Sequence, residues 1–201
     1  MSDTTAGGKG WFGTVGVGCD YQFAGSWLVG AFGDFDFASV KGTPSLPLIT
    51  SQNGSFPNSV FGNEKEDRAW AAGLRLGYLV TPTVLTFASA GWTQKHFKSF
   101  ALVDIFTGVA HDDFVPSHTY SGWFLGSGYE YSMASWGLPQ LTWKTEYRYA
   151  SMKTWNTCLG SPGLDADECS VHFKKYEQSI RSELVWHFNW GGWGKGVQGY
   201  Y

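Results

Sequence analysis

Apolar and charged residues alternate along residues 141–151, which read LTWKTEYRYAS. Aromatic side chains such as Trp143 and Tyr147 fall on one parity, and charged side chains such as Lys144 and Glu146 fall on the other. Side chains of a β-strand alternate between the two faces of its sheet. This stretch is therefore predicted to be a strand with one aromatic face and one charged face.

The same two-residue period recurs along the chain and predicts seven strands. Gly, Trp, Tyr, Phe and Thr fall at alternate positions, a composition typical of strands. Six of the strands have an aromatic face, whereas the pattern leaves the facing of the fourth open. The predicted strands are 11–23, 26–38, 68–80, 83–94, 122–133, 141–151 and 179–190.

Short and long connections alternate between these strands. Short turns are predicted at 24–25, 81–82 and 134–140. The long connections, which are polar and rich in Gly, Pro, Asp and Asn, are 39–67, 95–121 and 152–178. An up-and-down order places all the short turns at one end, which is typical of bacterial outer-membrane barrels with short periplasmic turns and long extracellular loops.

Composition agrees with a membrane barrel. Charged residues make up 15% of the chain, against roughly 25% in an ordinary soluble domain. The net charge of −3 is small and no basic run is present, so no nucleic-acid partner is expected. We expect one barrel domain over residues 1–201, with a disordered start at 1–9 and a Gly-rich tail at 191–201.

The predicted fold is all-β, an antiparallel up-and-down transmembrane β-barrel of the eight-stranded type with seven strands visible. Only closed barrels or helices pair every backbone group in hydrocarbon, so the apolar face meets lipid and the polar face lines the lumen. The predicted lipid-facing aromatic residues are Trp27, Trp70, Trp123, Tyr131, Trp143, Tyr147 and Trp186. The predicted lumen charge network is Asp20, Asp34, Asp36, Arg75, Glu130, Lys144, Glu146, Arg148, Arg181 and Glu183.

Several strand motifs, taken in order, are similar to those of one bacterial family. The first pair of strands carries GWFGTVGVGCDYQFAGSWLVGAFGDFDFASVKG, and the second carries RAWAAGLRLGYLVTPTVLTFASAGWT. SGWFLGSGYEYSM, LTWKTEYRYASM and SIRSELVWHFNWGG follow. Over residues 10–192, apart from the long loops, the chain resembles the small outer-membrane β-barrel "porin family" proteins of alphaproteobacteria, the Omp25/Omp31-like proteins.

This resemblance implies an eight-stranded barrel in the bacterial outer membrane with structural, small-solute or host-interaction roles rather than catalysis. We expect a monomer that contacts outer-membrane lipid and lipopolysaccharide, with an unidentified extracellular ligand and without a cofactor. The expected function is a structural and surface-interaction role with limited passage of small solutes. The alternatives are a soluble lipocalin-like ligand-binding barrel and a membrane-embedded outer-membrane hydrolase.

The start of the chain departs from the family pattern. The family's first strand has no counterpart before Gly10, and MSDTTAGGKG shows no signal peptide. Seven strands put the termini on opposite sides of the membrane, whereas single-chain bacterial barrels normally have an even number of strands. We therefore expect a further N-terminal strand, and a gap or weak seam between 11–23 and 179–190.

Three cysteines receive separate predictions. Cys158 and Cys169 bracket a short segment of a predicted extracellular loop, where an oxidising compartment permits a disulfide. Closing this loop would stabilise the protein by roughly 2–3 kcal/mol, and two free surface thiols are the alternative. Cys19 lies on the predicted lipid face, where it is expected to be a small apolar filler.

Histidines give little support for catalysis. His96, the HDD at 111–113, His118 and His172 are predicted loop residues without a convincing metal-ligand spacing, so no metal site is expected. His187 faces the lumen near Glu183, an arrangement that also occurs in hydrolase dyads. No serine elbow or third member accompanies it, so we predict a hydrogen-bonded lumen histidine and no catalytic residue.

Overall fold

The computed structural model describes residues 7–42, 45–49, 58–104, 108, 110–157 and 171–188. These residues are almost entirely β-strand, with one short 3-10 turn at Ala134–Trp136. No helix among them has the length and apolar character needed to cross a membrane. The strands are β1 (Gly8–Phe23), β2 (Trp27–Gly42), β3 (Ser45–Ile49), β4 (Asn58–Gly62), β5 (Glu64–Thr81), β6 (Val84–Phe97), β7 (Phe100–Asp104), β8 (Ala110–Val115), β9 (His118–Ser132), β10 (Leu141–Met152), β11 (Trp155–Thr157), β12 (Val171–Phe173) and β13 (Tyr176–Trp186).

Seven long strands form one sheet in the order β1-β2-β5-β6-β9-β10-β13. Every neighbouring pair in this order is antiparallel. The order follows the chain without a crossover, because the strands that lie between these in sequence belong to the other sheets. The predicted all-β, antiparallel, up-and-down architecture is confirmed, and the described residues contain the seven predicted membrane strands.

The sheet curls round on itself. The guanidinium of Arg181 on β13 is 2.7 Å from the carboxylate of Asp36 on β2, although β2 and β13 lie five positions apart in the sheet order. Across a flat sheet five strand spacings would separate them by roughly 24 Å. Only a nearly closed barrel brings the two side chains together.

The barrel has an open seam between its first and last strands. β1 and β13 stand at the two ends of the sheet order, and no backbone pairing joins them in the described part of the chain. Side chains still cross the opening, because the Arg181 guanidinium lies 5.1 Å from the centroid of the Phe12 ring on β1. The strands therefore meet at an unpaired seam, as the prediction of a gap or weak seam between them requires.

The strand ends differ from the predictions mainly on the side of the long loops. β2 continues to Gly42 and β5 already begins at Glu64, so both extend beyond the predicted strands. β1 starts at Gly8, inside the stretch expected to be disordered. β13 runs over Tyr176–Trp186, three residues earlier at its start and four at its end than predicted.

The long connections contain strands of their own, and their prediction as loops was wrong. β3, β4, β7 and β8 form a separate four-stranded sheet, and β11 pairs with β12. The histidines predicted to lie in loops are therefore strand residues: His96 in β6, His111 in β8, His118 in β9 and His172 in β12. These short segments escaped prediction because a strand of three to six residues shows too few periods of the alternating pattern.

Exposure follows the predicted parity. On β13 Ile180 is 74% exposed and Leu184 66% exposed, whereas Arg181 between them is 5% exposed. Glu146 on β10 is 1% exposed. Apolar side chains thus face outward and charged side chains face the lumen, which is the reverse of the soluble lipocalin-like alternative.

The structure also settles the facing of β6. Leu85, Phe87 and Ser89 are buried, and Thr86 and Trp92 are exposed. The sequence pattern left this strand open because small or apolar residues occupy both of its faces.

Candidate functional sites in the lumen and at the rims

Outward aromatic residues form two belts around the barrel. The belt near the long hairpins, called the outer belt here, comprises Trp11, Phe37, Trp70, Trp92 and Trp123. The belt near the short turns, called the inner belt, comprises Phe23, Trp27, Tyr78, Tyr131, Trp143 and Trp186. All are exposed, as suits aromatic girdles at the two membrane interfaces. The strand segments between the belts are the membrane-spanning segments, such as residues 70–78 in β5.

Each residue predicted to face lipid is exposed on the outer surface, Tyr147 included. Their polar atoms bond along the same surface: the Trp143 indole donates to Ser182 Oγ at 2.7 Å, and the Tyr147 hydroxyl donates to Gln178 at 3.0 Å. Trp27 packs edge-on against Tyr78 on the neighbouring strand, with ring centroids 5.1 Å apart. These contacts fix the rings without burying them in the protein.

A central ion-pair cluster spans the lumen. Arg148 on β10 pairs with Asp34 on β2 at 2.9 Å and with Glu146 at 3.0 Å. Arg181 on β13 donates two hydrogen bonds to Asp36, at 2.7 and 3.1 Å, and lies 3.4 Å from Asp34. The two guanidiniums therefore tie β2 to both β10 and β13.

A second group of ion pairs lies nearer the short turns. Arg75 pairs with Asp20 and Glu130, with one hydrogen bond to Asp20 at 2.7 Å. Lys144 pairs with Glu183 at 3.2 Å and is 3.5 Å from Glu146. Together with the central cluster, these contacts place every residue of the predicted lumen network in an ion pair with another member of that network.

Phenylalanine rings fill the space between the charges. The Arg148 guanidinium lies 4.4 Å from the centroid of the Phe124 ring and 5.5 Å from that of Phe32. Lys144 lies 5.7 Å from the Phe87 ring. The sequence prediction did not name these rings as lumen residues, although the inward parity of Phe32 and Phe124 marks them as such.

Glycines provide room for these side chains. A Cβ added at Gly126 would collide with Ser89 Oγ and Glu146 Oε1, which are hydrogen-bonded to each other at 2.6 Å. A Cβ at Gly73 would lie 2.8 Å from the tip of the Phe124 ring. The inward glycines thus let long charged and aromatic side chains reach the barrel axis.

Above the outer belt, a third group of charges lines the mouth of the barrel. Lys95 on β6 pairs with Glu66 at 3.2 Å and also with Glu177. Lys175 pairs with Glu64. Burial raises the pKa of Glu66 to about 7, although Lys95 opposes this shift. The sequence prediction missed these residues because all five lie in segments that it treated as loops.

Aromatic rings close the mouth over this group. His118 stacks on Trp155 with ring centroids 3.9 Å apart, and both rings contact Tyr120 edge-on. Lys175 lies 4.1 Å from the centroid of the Phe97 ring. Burial raises the pKa of Tyr120 and lowers that of His118, so both side chains favour their neutral forms.

Two other histidines have polar partners. His96 Nδ1 is 2.7 Å from the Asp67 carboxylate. Partial burial alone would raise the pKa of Asp67. The hydrogen bond to His96 and the nearby positive charges outweigh burial, so the pKa of Asp67 is lowered. His187 Nε2 is 3.0 Å from Thr142 Oγ1, so a threonine hydroxyl is its hydrogen-bond partner. No cluster of three or more His, Cys, Asp or Glu residues suited to a metal occurs among the described residues.

The cysteines divide into described and undescribed positions. Cys19 is an exposed free thiol on the outward face of β1, with an alanine opposite it on β2. Cys158 and Cys169 lie outside the described residues, so their disulfide stays a prediction.

Comparison with known proteins finds similarity to two outer-membrane proteins. The chain is 28% identical over 194 residues to the 31 kDa outer-membrane immunogenic protein of Brucella melitensis biotype 1, covering 92% of this chain and 69% of that protein. It matches the protein of the same name from Brucella suis biovar 1 to the same extent. No family model matches, and no solved structure matches.

These similarities agree with the architecture. A protein that crosses the outer membrane with β-strands requires a nearly closed antiparallel barrel with aromatic belts around it. The resemblance inferred from the strand motifs is confirmed by relatives that share most of the chain's length. The chain is a bacterial outer-membrane β-barrel protein homologous to the Brucella 31 kDa outer-membrane immunogenic proteins.

Proposed function

We propose that this barrel has a non-enzymatic, structural and surface-interaction role, and that its lumen restricts passage to water and small ions. The observation that carries the proposal is the central ion-pair cluster. Arg148 and Arg181 hold Asp34 and Asp36 from across the lumen, and all four side chains are largely or fully buried. A solute would have to separate these pairs to pass.

The energetics favour a closed lumen. A barrel of about eight strands has an interior just wide enough for side chains to fill it. Breaking a buried ion pair by removing one partner costs about 3–5 kcal/mol, because the other charge is left uncompensated. Phe32 and Phe124 occupy the space beside Arg148 and leave little room for solvent.

Conductance in planar bilayers tests the closed lumen. We expect the unmodified protein to show only a small ionic conductance, and the double variant Arg148→Ala/Asp34→Ala to show a larger one, because the variant removes the pair that bridges the lumen. Lys153→Ala is the matched control, since Lys153 is exposed and stacks against the outward ring of Trp92. Sustained conductance by the unmodified protein, together with sugar uptake in a liposome-swelling assay, would contradict the proposal.

The non-enzymatic part of the proposal is supported by the surroundings of the histidines. His96 and Asp67 form an acid–histidine pair, but no described hydroxyl or thiol hydrogen-bonds to the His96 ring to complete a nucleophilic site. We expect no turnover of phospholipid or peptide substrates by the folded protein. Turnover that disappears in the His96→Ala variant would instead support the membrane-embedded hydrolase.

The surface role is supported by the hairpins beyond the outer belt. β3, β4, β7 and β8 form a sheet of their own on the side of the long connections. The relatives' name, outer-membrane immunogenic protein, describes proteins that the immune system recognises. We expect antibodies raised against the folded protein to bind intact cells, and deletion of residues 45–62 to remove part of this binding.

A further inference from the structure

Three lysines form a row on the outer surface above the outer belt. Lys9 on β1 lies directly opposite Lys41 on β2, and Lys41 lies directly opposite Lys65 on β5. Residues directly opposite each other in antiparallel strands share a face, with their Cβ atoms about 4.5–5.5 Å apart. The row therefore brings three ammonium groups to neighbouring positions on one face of the sheet.

The row faces away from the lumen. Lys9 has the parity of Trp11, which is 89% exposed, and both Lys9 and Lys41 are exposed. Lys65 is half-buried and shares its face with Lys41 through their pairing. The acids on either side of Lys65, Glu64 and Glu66, pair instead with the inward Lys175 and Lys95.

A β-bulge produces this separation of charges. The register of β5 against β6 shifts between Glu66 and Arg68. Arg68 is exposed, whereas Glu66 is 2% exposed although it has the same parity. Bulges re-aim side chains in this way. The bulge turns Glu66 into the lumen and Lys65 onto the outer surface beside Lys41.

The row has no anionic partner in the described part of the chain. None of its three lysines forms an ion pair with a described residue. Like charges directly opposite each other destabilise a sheet. An anion outside the protein would offset this repulsion, and it would have to reach a lipid-facing surface.

The position of the row indicates which anion this is. Lys9 lies two residues beyond Trp11 on the same face, so the row sits just outside the aromatic belt that marks the outer membrane interface. Basic clusters next to a membrane surface bind anionic lipid headgroups. The headgroup phosphates of the outer leaflet lie at this depth.

We infer that Lys9, Lys41 and Lys65 form a binding site for the phosphate groups of a lipid in the outer leaflet, such as the lipid A part of lipopolysaccharide. The lipid's acyl chains lie along the apolar outer face of β1, β2 and β5, beside Val15, Phe37 and Leu74. Its phosphates bridge the lysines and remove their mutual repulsion. The site would fix one lipid at this side of the barrel.

Lipid retention tests the inference. The full chain is folded into phosphatidylcholine vesicles that contain increasing amounts of lipid A, and retained lipid A is counted by native mass spectrometry after gentle extraction. In the Lys41→Gln/Lys65→Gln variant we expect retention to weaken by roughly 30-fold, the factor for two lysines leaving an anionic lipid surface. Lipid A without phosphates should bind the unmodified protein and this variant equally weakly.

The control variant Lys153→Gln/Lys174→Gln removes the same charge from the same rim outside the row. Both lysines are exposed and lie over outward rings, those of Trp92 and Tyr176. This variant should retain lipid A as the unmodified protein does, and Lys41→Arg/Lys65→Arg should retain most binding. The inference would be overturned if the row and control variants lost equal amounts of lipid A. It would also be overturned if the unmodified protein retained lipid A equally well with and without its phosphates. Heat-modifiability on gels shows that each variant is folded.

Discussion

The faces that carry charged side chains differ between the parts of the strands below and above the outer belt. Between the belts, every charged side chain of the described strands points into the lumen and joins an ion pair there. Beyond the outer belt, charges lie on both faces: Glu66 and Lys95 point inward, whereas Lys9 and Lys41 point outward. The change occurs within single strands, since β2 and β5 run through both regions without a break.

The difference shows that the surrounding solvent, rather than the strand, sets the alternation. A charge on the lipid face costs about 2–4 kcal/mol near the bilayer midplane and about 0–1 kcal/mol near the interface. The lipid-bounded region therefore keeps strict alternation. Once the strands enter the headgroup region, outward lysines cost little, and a bulge in β5 exchanges the facing of successive residues.

The largest expected effect comes from the central cluster. Arg148→Met leaves Asp34 and Glu146 without their main partner, and should lower the free energy of unfolding by about 3–5 kcal/mol. The temperature at which the folded band disappears on gels measures this change. The control Lys153→Met, above the outer belt and outside the lumen, should leave that temperature almost unchanged. Equal shifts would mean that the lumen ion pairs contribute no more to the free energy of unfolding than an exposed lysine does.

An outward charge in the membrane-spanning region should have the next largest effect. Tyr147→Arg places a guanidinium among lipid tails and should cost about 2–4 kcal/mol if Tyr147 lies near the midplane. Tyr176→Arg, at the start of β13 on the hairpin side, should cost about 0–1 kcal/mol. Unfolding by urea in vesicles measures both. A tolerated Tyr147→Arg would place this side chain away from lipid.

The same substitution, glycine to alanine, can be compared on the lumen face and on the outward face of the barrel. Gly126→Ala puts a methyl group onto the Ser89–Glu146 hydrogen bond, and should cost about 1–3 kcal/mol through overpacking. Gly13→Ala is the matched control, because a Cβ there meets no atom within 4 Å on the outward face. The gel-shift temperature should fall for the first variant only. A neutral Gly126→Ala would show that the lumen can rearrange.

A pH dependence is expected at the mouth of the barrel. Glu66 has a pKa of about 7 when folded and 4.5 as its ordinary value. Between these values the folded state binds more protons than the unfolded state, so stability falls as pH rises from about 4.5 to about 7. Glu66→Gln should flatten this dependence in gel-shift temperatures across that range. The same slope in Glu66→Gln would assign it to another group.

The period-two pattern was enough to predict the fold between the belts. Residues such as Glu146 and Tyr147 show their facing by parity alone, because lipid outside and a filled lumen inside demand opposite chemistry at successive positions. The alternation of short and long connections gave the direction of the strands. The odd count gave the open seam between β1 and β13.

The pairing of particular charges could not be predicted from the sequence. That Arg148 contacts Asp34 depends on strands four positions apart in the sheet order meeting across the closed lumen. Parity predicts that both side chains enter the lumen, but their depth follows from strand tilt and register. Neither quantity is encoded by one local segment.

What the sequence by itself determined is the set of membrane strands and, for six of the seven, which face meets lipid, because the bilayer imposes one rule on every residue that crosses it. What only the tertiary structure decided lies beyond the outer belt. Continued parity from Trp70 would put Glu66 outside and Lys65 inside, but the bulge beside Asp67 reverses both. A bulge is a relation between neighbouring strands, so the charges that it brings together at the rim are fixed only when the sheet forms.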